Sequence, residues 1–142
     1  MSETIFNYRK LIVWQKAMQL TEIVYEAVKK FPPEERYALS DQLRRAVVSI
    51  ASNIAEGAGR ATNKDYAHFI AIARGSVYET MTQLETAVRI GYISAADFTS
   101  KFESLASEIV RMLGGAEASD VVTRHARELL AQARTQTSRQ SP

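Results

Sequence analysis

The sequence predicts an all-α fold, an antiparallel up-down-up-down four-helix bundle, and three observations carry that prediction. Long proline-free stretches are rich in Ala, Leu, Glu, Gln and Arg, residues that lose little on entering a helix. Apolar residues recur at three- and four-residue steps, and nowhere does strand-like alternation run between hairpin turns. The breaks between these segments are short, and most carry proline or glycine, so consecutive helices should return antiparallel.

The first helix is predicted from Leu11 to Lys30, with Leu11, Trp14, Met18, Thr21, Tyr25 and Val28 as its buried stripe. Phe31-Pro32-Pro33 ends it, because proline has no N–H to donate and restricts the residue before it. The second, from Leu39 to Ala58, turns Leu39, Leu43, Ala46, Val47, Ile50 and Ile54 inward, and Gly57 and Gly59 mark its exit. Thr62 caps the third, with Asp65 in the N3 position where the helix dipole favours an acid. Tyr66, Ile70, Ala73, Val77, Thr80, Leu84 and Val88 form its stripe, and Gly91 supplies its stop. The fourth begins at Ser94 with Asp97 at N3, and Ile93 and Phe98 are spaced as a hydrophobic staple. Its inward face is Phe98, Phe102, Leu105, Ile109 and Leu113, and Gly114-Gly115 breaks it.

Residues 1–115 thus read as the bundle and 116–142 as a C-terminal extension. Within the extension, Val121 to Ala133 is amphipathic and reads as a short fifth helix or a kinked continuation of the fourth. Thr135 to Pro142 reads as a polar, disordered tail.

A chain of 142 residues fits one domain, and at this size roughly 68 % of the unfolded surface can be buried without staples. The absence of cysteine excludes disulfides and thiolate metal sites and points to a reducing, cytoplasmic compartment. No apolar run approaches the roughly 18 residues of a membrane span, and Met1-Ser2-Glu3-Thr4-Ile5 lacks the basic start of a signal peptide. A net charge of +2 draws only weakly toward an anionic partner.

Two helix faces are quieter than solvated faces should be. Ala46 to Ala55 contains no charge, and the side opposite the core stripe has Ser49, Ser52 and Asn53 at its middle. On the third helix, His68, Ala71, Ile72, Gly75, Thr82 and Thr86 lie opposite the stripe. Gly75 in a helix interior costs about 1 kcal/mol relative to alanine, which is explicable if another backbone comes close. Ser49, Ser52, Asn53, His68, Ala71, Ile72, Gly75 and Thr82 are therefore candidate interface residues between copies of the chain.

The same residues carry a family resemblance. Asp41-Gln-Leu-Arg-Arg-Ala-Val-Val-Ser-Ile-Ala-Ser-Asn-Ile-Ala-Glu-Gly57 resembles the signature of the four-helix bundle proteins encoded in 23S rRNA intervening sequences. Tyr8-Arg-Lys-Leu-Ile-Val-Trp-Gln-Lys-Ala17 is similar to that family's opening, and Phe69-Ile-Ala-Ile-Ala-Arg-Gly-Ser-Val-Tyr-Glu79 to its third-helix motif. Ala51 stands where members often have proline and Ala38 where they often have glycine, so the second helix should start and run more regularly here. The resemblance implies a bundle that assembles into a ring, a pentamer in relatives, with no enzymatic activity. Relatives include accessory proteins of diversity-generating retroelements, which bind nucleic acid and a reverse transcriptase.

Catalytic chemistry finds little to work with. Bundle metal sites need several inward carboxylates and histidines, and only His68 and His125 occur, with Asp65-x-x-His68 as a single spacing match. Ser49, Ser52 and Ser76 lie mid-helix, where a hydroxyl bonds back to its own backbone and does not act as a nucleophile. No phosphate-binding glycine loop is present, so no cofactor or metal is expected.

Positive charge is uneven. Arg36, Arg44, Arg45, Arg60, Lys64 and Arg74 face three acids in the same stretch, Asp41, Glu56 and Asp65, and the surplus is +3 against −1 for the rest of the chain. These six are the candidate contacts to RNA or DNA, and repetition around a ring would strengthen a weak patch by avidity. The competing expectation is a scaffold that binds only proteins, with an assembly surface or the Val121–Ala133 segment engaging a partner helix.

Overall fold

The computed structural model describes residues 6–114, and every regular element among them is helical. Helix α1 spans Ile12–Val28 and follows a 3-10 turn at Asn7–Lys10. Helix α2 spans Leu39–Ala58 after a 3-10 turn at Pro33–Glu35, and α3 spans Asn63–Arg89. Helix α4 covers residues 95–112 in three pieces, an α-turn at Ala95–Asp97, a π-helical segment at Phe98–Glu103 and an α-helical segment at Ser104–Met112. The readings of Val121 to Ala133 and of Thr135 to Pro142 lie outside the described residues.

Cross-helix contacts give the topology. Thr21 Oγ1 lies 3.5 Å from the Val47 carbonyl, while Tyr8 shares a hollow with Ala58 and Gly59, so α1 and α2 run in opposite directions. Ser49 Oγ meets Ser76 Oγ at 2.8 Å, and Gly57 packs against Tyr66 and Phe69, which makes α2 and α3 antiparallel. Lys16 pairs with Glu108, and Ile23 and Ala27 share a hollow with Phe102, so α4 returns along α1. Consecutive helices are neighbours and α4 closes the square against α1 and α3, the up-down-up-down arrangement the spacing predicts.

The caps form where the sequence places them. Asp65 N–H donates to Thr62 Oγ1 and Asp97 N–H to Ser94 Oγ, each at 3.1 Å. Gly91 takes φ +92° after α3, and Tyr92 N–H reaches back to the Ala87 carbonyl at 2.8 Å, closing the helix end. Helix α2 passes unbroken through buried Ala51. Its start is held from outside, since Ala38 offers no side-chain oxygen and Glu35 Oε2 accepts the Leu39 N–H at 3.2 Å.

The core of α2 and α3 follows the predicted stripes, with Leu39 and Val88 only half-buried. That of α1 does not. Its buried residues are Leu11, Val13, Ala17, Leu20, Val24 and Val28, while Trp14, Met18 and Thr21 are half-buried and Tyr25 is exposed. The helix also ends at Val28, two residues before Lys30. An exposed polar stripe, Gln15, Gln19, Glu22 and Glu26, lies opposite the buried residues of α1, whereas the predicted stripe follows the largest side chains and is displaced by about one residue's rotation. On α4, Ala106 joins Phe102, Ile109 and Leu113 inside, and Phe98 and Leu105 are half-buried.

Candidate nucleic-acid interface

The six candidate cations do not form one patch. Arg36, Arg44 and Arg45 stand at the start of α2, and Arg60 and Lys64 at the α2–α3 hairpin, the opposite end of a helix about 30 Å long. Arg74 lies between them on α3. Most are already engaged locally. Arg44 Nη2 donates to the Arg36 carbonyl at 3.2 Å, and Arg45 pairs with Asp41 at 3.1 Å. The Arg36 guanidinium lies over the Tyr37 ring, and that of Arg74 over Tyr78 at 5.3 Å. Arg60 pairs with Glu56 at 2.9 Å and covers the Phe69 ring at 4.6 Å. Lys64 is exposed.

What the fold does collect is charge at one end of the bundle. Among the described residues, the start of α1, the α2–α3 hairpin and the end of α4 bring Arg9, Lys10, Lys16, Arg60, Lys64 and Arg111 together with only Glu56, Asp65 and Glu108. The surplus is +3 at this end, whereas the other described residues hold eight bases and nine acids. Four of these six cations, Arg9, Lys10, Lys16 and Arg111, come from segments far from Arg60 in sequence, which is why reading α2 and α3 alone missed them.

The same end carries open aromatic surface. Phe6 is 54 % exposed, its ring 6.2 Å from that of Tyr8, which in turn lies 5.2 Å from Trp14. Phe6, Asn7 and Tyr8 form one wall of a hollow of about 560 Å³, and Ala55, Glu56, Ala58, Gly59 and Arg60 form the other. It continues toward a shallower groove of about 360 Å³ between α1 and α2, lined by Trp14, Met18, Val48 and Ser52.

The candidate self-association residues divide into two groups. Ser52, His68, Ala71, Ile72, Gly75 and Thr82 are exposed, and a Cβ built on Gly75 meets nothing within 4 Å. Ser49 and Asn53 are half-buried and satisfied inside the chain, Ser49 by Ser76 across the helix pair and Asn53 Nδ2 by donating to Ser49 at 2.8 and 2.9 Å. Ser76 is buried and completes this polar link between α2 and α3.

At the far end of the bundle, Tyr92 donates its hydroxyl to Glu35 Oε1 at 3.0 Å and stacks on Phe31. Desolvation raises the phenol above its ordinary pKa, and the Glu35 carboxylate raises it further. The raised value means that the contact contributes fully below the unfolded phenol pKa of about 10 and is lost as pH climbs through the folded one. Tyr92→Phe should therefore lower the melting temperature at neutral pH. That deficit should shrink at strongly alkaline pH, as paired thermal melts would show. Lys16 holds the Glu108 carboxyl below its usual range, first through their hydrogen bond and then through charge.

Among the described residues, no three His, Cys, Asp or Glu side chains converge on a metal position, and no helix is long and apolar enough to cross a membrane. His68 is exposed beside Phe69, and no catalytic constellation is assembled around it.

Fold and surface together define a small helical bundle with a basic, aromatic end and a sparsely charged outer face on α3. The chain belongs to the 23S rRNA-intervening sequence protein family, whose model matches residues 9–115. It is also similar to the crystal structure of a protein of unknown function from the S23 ribosomal protein family of Bacteroides thetaiotaomicron. That similarity has a TM-score of 0.66 at 25 % identity, over 72 % of this chain and 94 % of the other. Comparison with curated proteins finds no match.

Proposed function

We propose that this chain is a non-enzymatic, ring-forming homo-oligomer of the cytoplasm that binds the backbone of RNA or DNA through basic surfaces repeated once per subunit. The observation that carries the reading is the sorting of charge, with six cations against three acids at the hairpin end of the bundle. Long flexible cations at one end suit phosphate oxygens, which position a strand without reading its bases. The exposed side of α3 from Ala71 to Thr82, where Glu79 is the one charge, supports self-association, since a solvated helix face ordinarily carries charge throughout.

Reversing Arg60 and Lys64 to glutamate tests the reading. Both residues are exposed, so the fold should persist, with only the Arg60–Glu56 pair lost at a cost of under about 1 kcal/mol. Binding of a labelled oligonucleotide at low salt should fall more than about tenfold, and the wild-type affinity should decline steeply with added salt. Binding that is unchanged by the double reversal and indifferent to salt would refute the proposal.

A further inference from the structure

We infer that the hollow between the Phe6–Tyr8 segment and the end of α2 is a stacking site for an unpaired nucleobase, so that the nucleic acid this chain prefers is single-stranded. The inference rests on the nucleic-acid reading above and names its substrate class. A duplex offers phosphates and groove edges, and its base faces are already stacked inside. An exposed aromatic ring that shares a hollow with a cation has no use for such a partner but fits a splayed-out base with its phosphate. Phe6 is that ring, 54 % exposed at the mouth of the hollow, and Tyr8 continues the aromatic wall 6.2 Å away between centroids.

Arg60 closes the opposite wall. Glu56 takes one of its donors at 2.9 Å, and the guanidinium has five, so others remain for a phosphate oxygen. Stacking over Phe69 at 4.6 Å holds the guanidinium plane in place. At about 560 Å³ the hollow falls in the size range of clefts that enclose small ligands, roughly 300–1,000 Å³. Asn7 lines the hollow and can meet a base edge, and nothing in the lining selects one base, so the expected preference is for strandedness and not for sequence.

The full chain, at low salt, is titrated with labelled oligo-dT and oligo-U of about 20 nucleotides and with a duplex of the same length, a span that covers one or more such sites. The single strands should bind more tightly than the duplex. They should also change the fluorescence of Trp14, the one tryptophan, whose ring lies 5.2 Å from that of Tyr8. Phe6→Ala, at an exposed position, should weaken single-strand binding roughly 5- to 150-fold and leave duplex binding unaltered, and Phe6→Trp should restore it. A difference between oligo-dT and oligo-U would assign the strand to DNA or RNA within the same proposal. Equal binding of single strand and duplex, with Phe6→Ala indistinguishable from wild type, overturns the stacking site while leaving backbone binding standing. No binding of either form overturns both.

Discussion

Gly57→Leu is expected to destabilise the chain by roughly 1–3 kcal/mol, the usual cost of forcing bulk into a packed contact. A Cβ at this position would stand 3.0 Å from Phe69 Cβ and 3.1 Å from the Tyr66 ring. Phe69 Cβ is tied directly to the α3 backbone, so relief requires the two helices to part near their hairpin. Helix propensity works the other way and is worth up to about 1 kcal/mol, too little to offset a branched side chain at that distance. Gly59, two residues on, is the control. A Cβ there meets the Glu56 carbonyl at 3.5 Å and the Ala55 carbonyl at 3.9 Å, both ordinary contacts, so Gly59→Ala should leave stability nearly unchanged. Urea denaturation of both variants gives the comparison. A Gly57→Leu chain as stable as wild type would mean that the α2–α3 contact is looser than a 3.0 Å approach to Phe69 Cβ implies.

The role of Gly57 shows what spacing alone does and does not reveal. As a marker of the α2 exit it was legible, and α2 does end at Ala58. That a side chain here would collide with α3 depends on Tyr66 and Phe69, and no pattern within α2 indicates them. Caps were legible for the opposite reason. Thr62 with Asp65, and Ser94 with Asp97, satisfy backbone donors three residues away, so the whole interaction is local. The stripe of α1 differs because Trp14, Met18 and Tyr25 draw the reading toward the largest side chains, while the polar stripe of Gln15, Gln19, Glu22 and Glu26 marks the true outward face. The π-helical turn at Phe98–Glu103 leaves no mark in a pattern of apolar residues.

The candidate site was legible only in part, and distance in sequence again decides which part. Arg60 and Lys64 stand out because they are close together. Arg9, Lys10 and Arg111 reach the same end of the bundle only through the antiparallel return of α1 and α4, and the exposed ring of Phe6 becomes a wall of a hollow only when α2 passes it. Ser49 illustrates the reverse error. Counted on a wheel it faces away from the stripe, yet it sits close enough to the α2–α3 seam to bond Ser76.

Gly75→Leu is expected to break the proposed assembly while sparing the subunit. Within the chain nothing approaches this position, since a Cβ built there has no neighbour within 4 Å, and Ala71, Ile72, Tyr78 and Thr82 around it are exposed. A leucine would thus fit the isolated bundle without strain and should gain helix propensity of up to about 1 kcal/mol. The outer face of α3 then has two possible fates that predict opposite signs. If it meets water, the variant melts higher than wild type and keeps the same mass. If it packs closely on a second copy, the side chain overfills the contact at roughly 1–3 kcal/mol, and a closed ring repeats that cost at every subunit boundary. The expected result is a smaller particle by light scattering, with helical circular dichroism retained. Gly57 and Gly75 lie on the same helix pair, and only the first is explained by packing inside the chain. A Gly75→Leu protein that keeps its full assembled mass and melts higher than wild type would remove α3 from the interface.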